Sequence, residues 1–434
     1  MKEIFQRQLP GFAEGRLEVE RLKIADISYK PGKKCRISYV IRFKDIVSGA
    51  AARQTFVAEV EPNGGAEAMY SETQKHDQYT PQYGPAIHLL PELKMVLWGF
   101  PNDPVLNHLS ELWDSKTLFD FISRHLGDFR LPKRAMPIDV QTHRVKYVAE
   151  ERCTLRHTIS FENAESLIIY SKSLNDKQKA QQIFATIRTL WESDVCRSGK
   201  IMIPEPFLFD PRLRTVFVRG LDGVNADKDL ERIDIDSAAT RIGQAIAGIH
   251  QCFLGDLPNG SEQYLVSQVD KTAKILEKTD TTSHSRVATI SRTLREKSSG
   301  LTHLAPTPIH GAFRLSQLLF VGNKFALIDF DGFVMGNPIS DVASFVAHLL
   351  YLPLKGVLTS EDSLAGVREF CGSYKATTPW GLPTDVLVWQ TAAHLVGKQA
   401  KRCLKRGKTD RVRTVARLLD LTEDILSGEL SLLP

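Results

Sequence analysis

Residues 307–345 read TPIHGAFRLSQLLFVGNKFALIDFDGFVMGNPISDVASF. Two short apolar segments, 318–321 and 325–328, stand on either side of a Gly-Asn-Lys turn at 322–324. Apolar segments joined by so short a turn predict a β-hairpin. We therefore expect a compact β-rich insert over residues 307–341, set between helical segments.

Polar residues lie at both ends of the predicted hairpin. His310, Gly311 and Gln317 precede its first strand, and Asp329 and Asp331 follow its second. Because a hairpin brings its two ends side by side, we expect these residues to be neighbours. Mg²⁺ takes few protein ligands, prefers hard oxygen donors and shares its other positions with phosphate and water. The ends of this hairpin therefore predict a Mg²⁺ site.

The composition is that of an ordinary soluble globular protein, with 42% hydrophobic and 25% charged residues in a chain of 434. The net charge of +5, from 56 basic and 51 acidic residues, is too small to indicate nucleic acid or a membrane as the main partner. No apolar run is long enough to span a bilayer, and the N-terminal sequence lacks the apolar core of a signal peptide. The six cysteines are scattered without a CxxC pair, so we expect reduced thiols in a cytoplasmic protein.

An internal repeat is visible in the first half of the chain. In each copy two strand-like segments with alternating hydrophobicity are followed by a helical segment and a further strand, which predicts antiparallel sheet. The matched pairs are 33–39 with 151–157, 54–60 with 166–174, and 96–99 with 216–219. Apolar spacing predicts a helix over 176–195. From about Asp234 onward the chain is predicted to be mainly helical, and the stretch 386–426 is predicted to be helical with Gly407 as a possible break.

Three motifs resemble the active-site signature of the aminoglycoside phosphotransferase/choline kinase-like family, a branch of the protein-kinase-like fold. They are His310-Gly311 followed by Gln317, Ile328-Asp329-Phe330-Asp331, and Gly336-Asn337-Pro338 followed by Asp341. The motifs occur in the order and spacing of that family, and the resemblance covers roughly residues 145–434. It implies an α+β, two-lobed fold with a β-rich N-lobe and a mainly helical C-lobe.

The resemblance also implies a role for each matched residue. Asp329 falls at the Mg²⁺-binding aspartate, and Gln317 at a second metal ligand that is usually Asn. Asp341 falls at an aspartate that ties the loop to the following helix, and an N-cap is an alternative role for it. His310 is expected to orient the catalytic loop rather than to react.

In the N-lobe, the family holds the α- and β-phosphates of ATP with a strand lysine, and Lys172 stands at that place. Arg152 belongs to the turn that covers the nucleotide, which here has no glycine. Val218 and Gly220 belong to the hinge whose backbone would meet adenine. The implied cofactors are ATP and Mg²⁺, bound through Lys172 and Asp329.

Position 312 departs from the family pattern. The family has there the aspartate that accepts the proton of the substrate hydroxyl, and this chain has Ala312. Two explanations are open: the chain is a natural pseudokinase, or the aspartate has been replaced by mutation. Asp331 could act as a substitute base, although a metal-supporting role is the more usual one for a carboxylate at this place.

Further departures concern the charged partners. Asn337 stands where Asp is common, and the helix after Lys172 has no acidic residue to pair with that lysine. In the first repeat the position of Lys172 is taken by Glu59, so that copy cannot hold nucleotide in the same way. We therefore predict that the first repeat is a structural or regulatory duplicate.

A basic run lies near the C-terminus, and a solvated helix face is the first interpretation of it. An anionic substrate or partner is a second one, and nucleic acid is unlikely because no aromatic residues are interleaved with the charges. The basic residues are Lys398, Lys401, Arg402, Lys405, Arg406, Lys408, Arg411, Arg413 and Arg417, with Asp410 as the single acid.

These observations predict three domains: 1–140, a partial duplicate of the kinase N-lobe; 141–225, the N-lobe; and 226–434, the helical C-lobe. The predicted function is ATP/Mg²⁺-dependent O-phosphotransfer to a hydroxylated small molecule, and the alternative is a pseudokinase or nucleotide-binding scaffold without transfer. The sequence identifies neither the acceptor nor the oligomeric state.

Overall fold

The computed structural model describes residues 1–30, 34–61, 65–74, 78–131, 136–162, 164–228, 230, 234–255, 257–277, 280–322, 324–405 and 411–433. Lys33, Asn323, Arg406, Gly407, Lys408 and Asp410 of the sequence patterns above lie outside the described residues. The chain divides into two compact units. The first consists of Met1–Phe184 and Pro206–Gly220, and the second of Ala185–Glu205 and Leu221–Pro434.

Two antiparallel sheets of identical topology build the first unit. In the described chain the strand order is β1-β2-β3-β5-β4 in one sheet and β6-β7-β8-β10-β9 in the other. The first sheet comprises β1 (Leu17–Lys30), β2 (Lys34–Asp45), β3 (Ala51–Val60), β4 (Ile87–Leu90) and β5 (Met95–Gly99). The second comprises β6 (Pro137–Val148), β7 (Arg152–Phe161), β8 (Leu167–Leu174), β9 (Pro206–Asp210) and β10 (Thr215–Arg219).

The helices of this unit follow the same repeated plan. α2 (Gly65–Thr73) follows the third strand of the first sheet, and α5 (Lys177–Trp191) follows the third strand of the second and ends before the predicted residue 195. The remaining helices here are α1 (Lys2–Gln8), α3 (Leu109–Trp113) and α4 (Ser115–Arg124). The duplication that the sequence predicts is therefore present in the fold.

The strand register makes Glu59 and Lys172 equivalent positions. Glu59 of β3 lies opposite Val96 of β5, and Lys172 of β8 lies opposite Val216 of β10. The two valines begin the segments that the sequence repeat pairs with each other. The predicted replacement of the lysine by glutamate in the first copy is therefore reproduced by the pairing of the strands.

Strand β7 of the second sheet buries one face, whereas strands β3 and β5 of the first sheet are buried on both faces. In β7, buried residues alternate with half-buried ones along the whole strand. The core of the second sheet gathers Cys153, Leu155, Ile169 and Phe217 with apolar residues of α3 and α4. Lys172 therefore lies on the face opposite this core.

Buried polar contacts link the two repeats inside this unit. The Arg36 guanidinium lies 2.9 Å from the Glu150 carboxylate. Asp103 accepts hydrogen bonds from the Tyr147 hydroxyl at 2.7 Å and from the Glu150 amide at 2.9 Å. Burial, together with the Asp103 carboxylate, raises the pKa of Tyr147 and keeps its hydroxyl a donor.

The second unit is mainly helical. Its helices are α6 (Asp194–Arg197), α7 (Ile235–His250), α8 (Glu262–Leu276), α9 (Thr281–Ser298), α10 (Ile339–Tyr351), α11 (Ser360–Thr377), α12 (Thr384–His394), α13 (Lys401–Lys405) and α14 (Arg411–Ser427). A π-helical segment, Leu395–Ala400, joins α12 to α13, so the stretch predicted as helix over 386–426 is not one regular helix. Among the described helices, none has the length and apolar character that crossing a membrane requires.

The predicted β-rich insert interrupts these helices. β13 (Leu318–Val321) and β14 (Lys324–Leu327) form the hairpin, and β11 (Val224–Asn225) pairs with β13. β12 (Thr307–Ile309) pairs with β15 (Val334–Gly336) on the other side of the loop. This arrangement sets residues 310–317 and 328–333 next to each other.

Candidate active site

Asp341 anchors the loop that begins at His310. Its carboxylate is completely buried in the first turn of α10 and accepts the backbone N–H groups of His310 at 2.5 Å and Gly311 at 2.9 Å. The His250 ring lies 3.3 Å from the same carboxylate. The loop and the helix are tied together as the resemblance implies. The N-cap interpretation of Asp341 is wrong, because α10 is capped at Pro338.

The anchor is ionised although it is buried. Burial by itself raises the pKa of Asp341, but the hydrogen bond and the charge of His250 outweigh this effect and hold the pKa below its ordinary value. The other ring nitrogen of His250 is 2.9 Å from the Tyr374 hydroxyl. A buried carboxylate that is satisfied on several sides fixes the loop rigidly.

His310 is a positioning residue in this loop. Its ring is buried, its Nε2 lies 3.2 Å from the Ile328 carbonyl oxygen, and it packs against Phe333 with 5.2 Å between the ring centroids. Burial lowers the pKa of His310, so the ring is neutral at pH 7. A neutral ring that bridges the two segments of the site suits the orienting role expected for it.

Asp329 and Gln317 meet at the end of the hairpin. Asp329 adopts a left-handed conformation, with φ of 70° and ψ of 69°, directly after β14. The Gln317 side-chain amide lies 3.2 Å from the Asp329 carboxylate, and the Gln317 carbonyl accepts the Ile328 N–H at 2.9 Å. The predicted proximity of the two residues is therefore present. Asp331 follows in the 3₁₀ turn Phe330–Gly332 and is half-buried.

The pair fits the ligand requirements of Mg²⁺. In the described part of the chain, no three His, Cys, Asp or Glu side chains are grouped closely enough to hold a metal ion. A Mg²⁺ ion here would take a carboxylate oxygen from Asp329 and, after rotation of the amide, an oxygen from Gln317. Phosphate and water would supply the other positions, which is the usual arrangement for this ion with nucleotides.

A comparison with models of known protein families finds a match that includes this part of the chain. Residues 166–358 match the model of the phosphotransferase enzyme family. Over this segment, just under half of the chain, the protein is similar to that family. No curated protein matches the chain.

A solved choline kinase structure shares the fold. A choline kinase from Cryptosporidium parvum aligns with a TM-score of 0.52 at 11% identity, over 72% of this chain and 95% of that one. A choline/ethanolamine kinase family protein from Mesorhizobium loti aligns with a TM-score of 0.44 at 13% identity, over 66% and 92% of the two chains. The first alignment shows that the chain has a protein-kinase-like α+β fold.

The surroundings of Ala312 are strongly basic. Ala312 lines a cavity of about 30 Å³ together with Arg314, Lys398 and Arg402. Lys398 donates a hydrogen bond from Nζ to the Gly311 carbonyl at 3.2 Å. Burial, opposed by the Asp341 carboxylate and assisted by the charge of Arg314, lowers the pKa of Lys398 to about 8. Position 312 therefore carries a methyl group that lines the same small cavity as Lys398.

The prediction of a solvated basic face near the C-terminus is wrong for Lys398. The π-helical segment that carries Lys398 packs against α8, α10 and α14, which leaves the side chain of this lysine half-buried. Lys401 donates to the Gln268 side chain, and Arg402 to the Gln399 side chain at 3.1 Å. Among the described basic residues further along, Arg413 and Arg417 are exposed.

The predicted nucleotide-binding residues lie in the first unit, on the second sheet. Lys172 is half-buried in β8, and Arg152 is the first residue of β7. Val218 is in β10, and the Gly220 amide donates to the Ile168 carbonyl at 2.7 Å. A Cβ atom on Gly220 would overlap the Ile168 side chain, so only glycine fits this hinge position.

The sequence did not predict a supporting role for three residues that hold this loop: His250, Tyr374 and Lys398. His250 ends an apolar helix, Tyr374 lies inside a helix, and Lys398 belongs to a run of charges. None of these contexts differs in pattern from ordinary core or surface sequence. The one signal in the sequence was Asp341 itself, because a buried aspartate needs hydrogen-bonding partners from elsewhere in the chain.

We expect the replacement Gly311→Ala to destabilise the protein by at least about 1–3 kcal/mol. Gly311 has φ of 74°, and a Cβ atom there would collide with the Gly332 carbonyl oxygen. Gly372→Ala is the matched control, since Gly372 is exposed inside α11 with no atom within 4 Å of its Cβ position. We expect the free energy of unfolding of the control variant to increase by about 0.5–1 kcal/mol. Urea unfolding of both variants measures the difference, and equal stabilities would contradict the loop geometry.

Proposed function

We propose that the protein is an ATP- and Mg²⁺-dependent O-phosphotransferase that acts on a hydroxylated small molecule. The observation that carries this proposal is the Gln317–Asp329 pair, held at 3.2 Å at the end of the hairpin. A structural loop has no need for a carboxylate and an amide in contact on a left-handed residue. A phosphotransferase needs this pair to hold the metal that binds the phosphates.

Each residue then has a defined task. Lys172 would bind the α- and β-phosphates, and the backbone of Val218 and Gly220 would meet the base. Mg²⁺, when bound, neutralises charge that develops on the phosphates. Asp329 and Gln317 hold it in place, while Asp341 and His310 fix the loop that carries them. Asp331 is the carboxylate of this loop that could accept the proton of the acceptor hydroxyl.

A second candidate function is nucleotide binding without transfer. The observation that favours it is that Ala312 and Lys398 line the same small cavity, which places a lysine there and, among the residues that the structure describes, no carboxylate. Lys398, with a pKa of about 8, is mostly protonated at pH 7 and cannot replace an aspartate as proton acceptor there. A site that binds ATP but does not deprotonate an acceptor would serve as a regulatory scaffold.

ATP–Mg²⁺ binding is the first test, because both functions require it. We expect a ligand concentration of 100 times Kd to stabilise the fold by about 2.7 kcal/mol. Asp329→Asn should remove most of this stabilisation, because the metal loses its charged ligand. Asp120→Asn, an exposed aspartate on α4, is the matched control and should bind like the starting chain. Thermal melting and calorimetry give both values.

Transfer itself separates the two functions. ADP production is followed with a panel of hydroxylated acceptors, with basal ATP hydrolysis subtracted. Acceptor-dependent turnover supports the phosphotransferase. Tight binding without turnover supports the scaffold, and the absence of any melting shift with millimolar ATP–Mg²⁺ would remove both.

A further inference from the structure

A cavity of about 760 Å³ lies in the first unit, on the first sheet. Its floor is formed by β1, β2 and β3, and its walls by the segment 79–83, by Phe100 and Trp113, and by Arg144 of β6. The volume falls within the range of about 300–1,000 Å³ that is typical of small-molecule sites. The residues matched by the family model, 166–358, contribute nothing to it.

Three arginines form a row across the floor of the cavity. Arg21 of β1 lies directly opposite Arg42 of β2, and Arg42 lies directly opposite Arg53 of β3. Like charges in directly opposed positions of a sheet destabilise it. Glu20 pairs with Arg42 at 3.1 Å and relieves part of this repulsion. Within the described chain, Arg21 and Arg53 have no ion pair of their own.

Arg144 adds a partly desolvated cation at the wall. Its guanidinium carbon lies 4.8 Å from the centre of the Phe100 ring, and burial lowers its pKa below the ordinary value. Lys23 lies on the floor beside the arginine row. No acidic side chain among the described residues lines the cavity. A concave surface with several cations and no acid concentrates anions.

Aromatic side chains line the same cavity. Tyr79, Tyr83 and Trp113 are half-buried, so part of each ring remains accessible from the cavity. Trp113 is held edge-on against Phe100 with 5.0 Å between the ring centroids. Fixed aromatic rings next to arginines form the usual platform for a planar base joined to phosphate.

We propose that this cavity binds a nucleoside phosphate. The phosphate groups lie on the row of Arg21, Arg42 and Arg53, and the base packs against the aromatic wall. The row of arginines would bind the phosphates, and the aromatic wall would stack against a planar base. The volume of the cavity fits a single nucleotide and not a long strand.

This position differs from that of the second repeat's nucleotide lysine. Glu59 excludes phosphate from the equivalent place in the first repeat, and Arg53 lies six residues before it on the same strand. At about 3.3 Å per residue, the two positions are roughly 20 Å apart. The cavity is therefore a second ligand site and not a copy of the first.

The test uses the full chain, in EDTA, with 8-azido-ATP as the photocrosslinking probe. Removing the metal suppresses binding through Asp329 and leaves the arginine row intact. We expect crosslinks on peptides that contain residues 79–83 or Trp113. In titrations with ATP, Arg21→Gln/Arg53→Gln should raise Kd at least about tenfold, since two charged hydrogen-bonding partners of the phosphates are lost.

The matched control is Arg7→Gln/Arg292→Gln, which removes two exposed arginines elsewhere and should leave Kd unchanged. The single variant Arg53→Gln and a thermal melt of each protein guard against loss of the fold. Unchanged affinity in the row variants, or crosslinks confined to other peptides, overturns the proposal. It is equally overturned if inorganic tripolyphosphate binds as tightly as ATP, or if affinity for oligothymidylate keeps rising with strand length.

Discussion

Replacing Ala312 by aspartate is expected to raise phosphotransfer by about 10²–10⁴-fold. A carboxylate at this position would accept the proton of the acceptor hydroxyl as the new bond to phosphorus forms. That factor corresponds to about 3–5 kcal/mol of barrier. Lys398, hydrogen-bonded to the neighbouring Gly311 carbonyl, would keep the new carboxylate ionised at neutral pH, because an opposite charge nearby favours the charged form.

The measurement is acceptor-dependent ATP turnover by the starting chain, Ala312→Asp and Ala312→Asn. The asparagine variant has the same shape without the basic group, so it controls for packing in the small cavity. Adding Asp329→Asn to Ala312→Asp should abolish turnover, since the metal acts on charge that is already present on the phosphates. If Ala312→Asp is as inactive as Ala312→Asn while ATP still binds, the scaffold function is the correct one.

Asp341→Ala is expected to destabilise the second unit by about 3–5 kcal/mol, the usual cost of breaking a buried charge network. The change leaves the N–H groups of His310 and Gly311 and the ring of His250 without their acceptor. Asp362→Ala is the matched control: it too lies in the first turn of a helix, α11, but it is exposed. We expect the control to cost no more than about 1 kcal/mol.

The stability that Asp341 contributes should depend on pH in one direction. Its folded pKa lies below the ordinary value of 3.8, so the contribution is complete above that value and is lost as the pH falls through the folded pKa. The stability difference between the starting chain and Asp341→Ala should therefore narrow in acid. Urea unfolding at neutral and acidic pH measures it, and a difference that widens in acid would show that Asp341 is not an ionised anchor.

The parts of the fold that are local in sequence were predictable. The hairpin that joins Gln317 to Asp329 needs only two apolar segments and a short turn, and these lie next to each other in the sequence. The duplicated sheet was predictable for a related reason, because Cys35 and Cys153 are the second residues of strands with the same alternating pattern. Periodicity and spacing describe such elements directly.

The support of the active-site loop was not predictable in this way. Asp341 meets His250 across 91 residues of sequence, and Lys398 meets Gly311 across 87. No periodic pattern connects residues so far apart. The position of Lys398 was not predictable either, because basic residues in a run are usually solvated, whereas the π-helical segment holds this one half-buried against neighbouring helices.

The sequence separation of Gly311 and Lys398 also sets the order in which parts of the structure can form while the chain is being synthesised. The ribosome delivers the two repeated sheets first, and the loop follows before the lysine that closes it has been made. At about 5–20 residues per second, the 87 intervening residues occupy roughly 4–17 s. Throughout that interval the nascent chain carries its two repeated sheets complete, while the loop at Gly311 still lacks its hydrogen bond from Lys398.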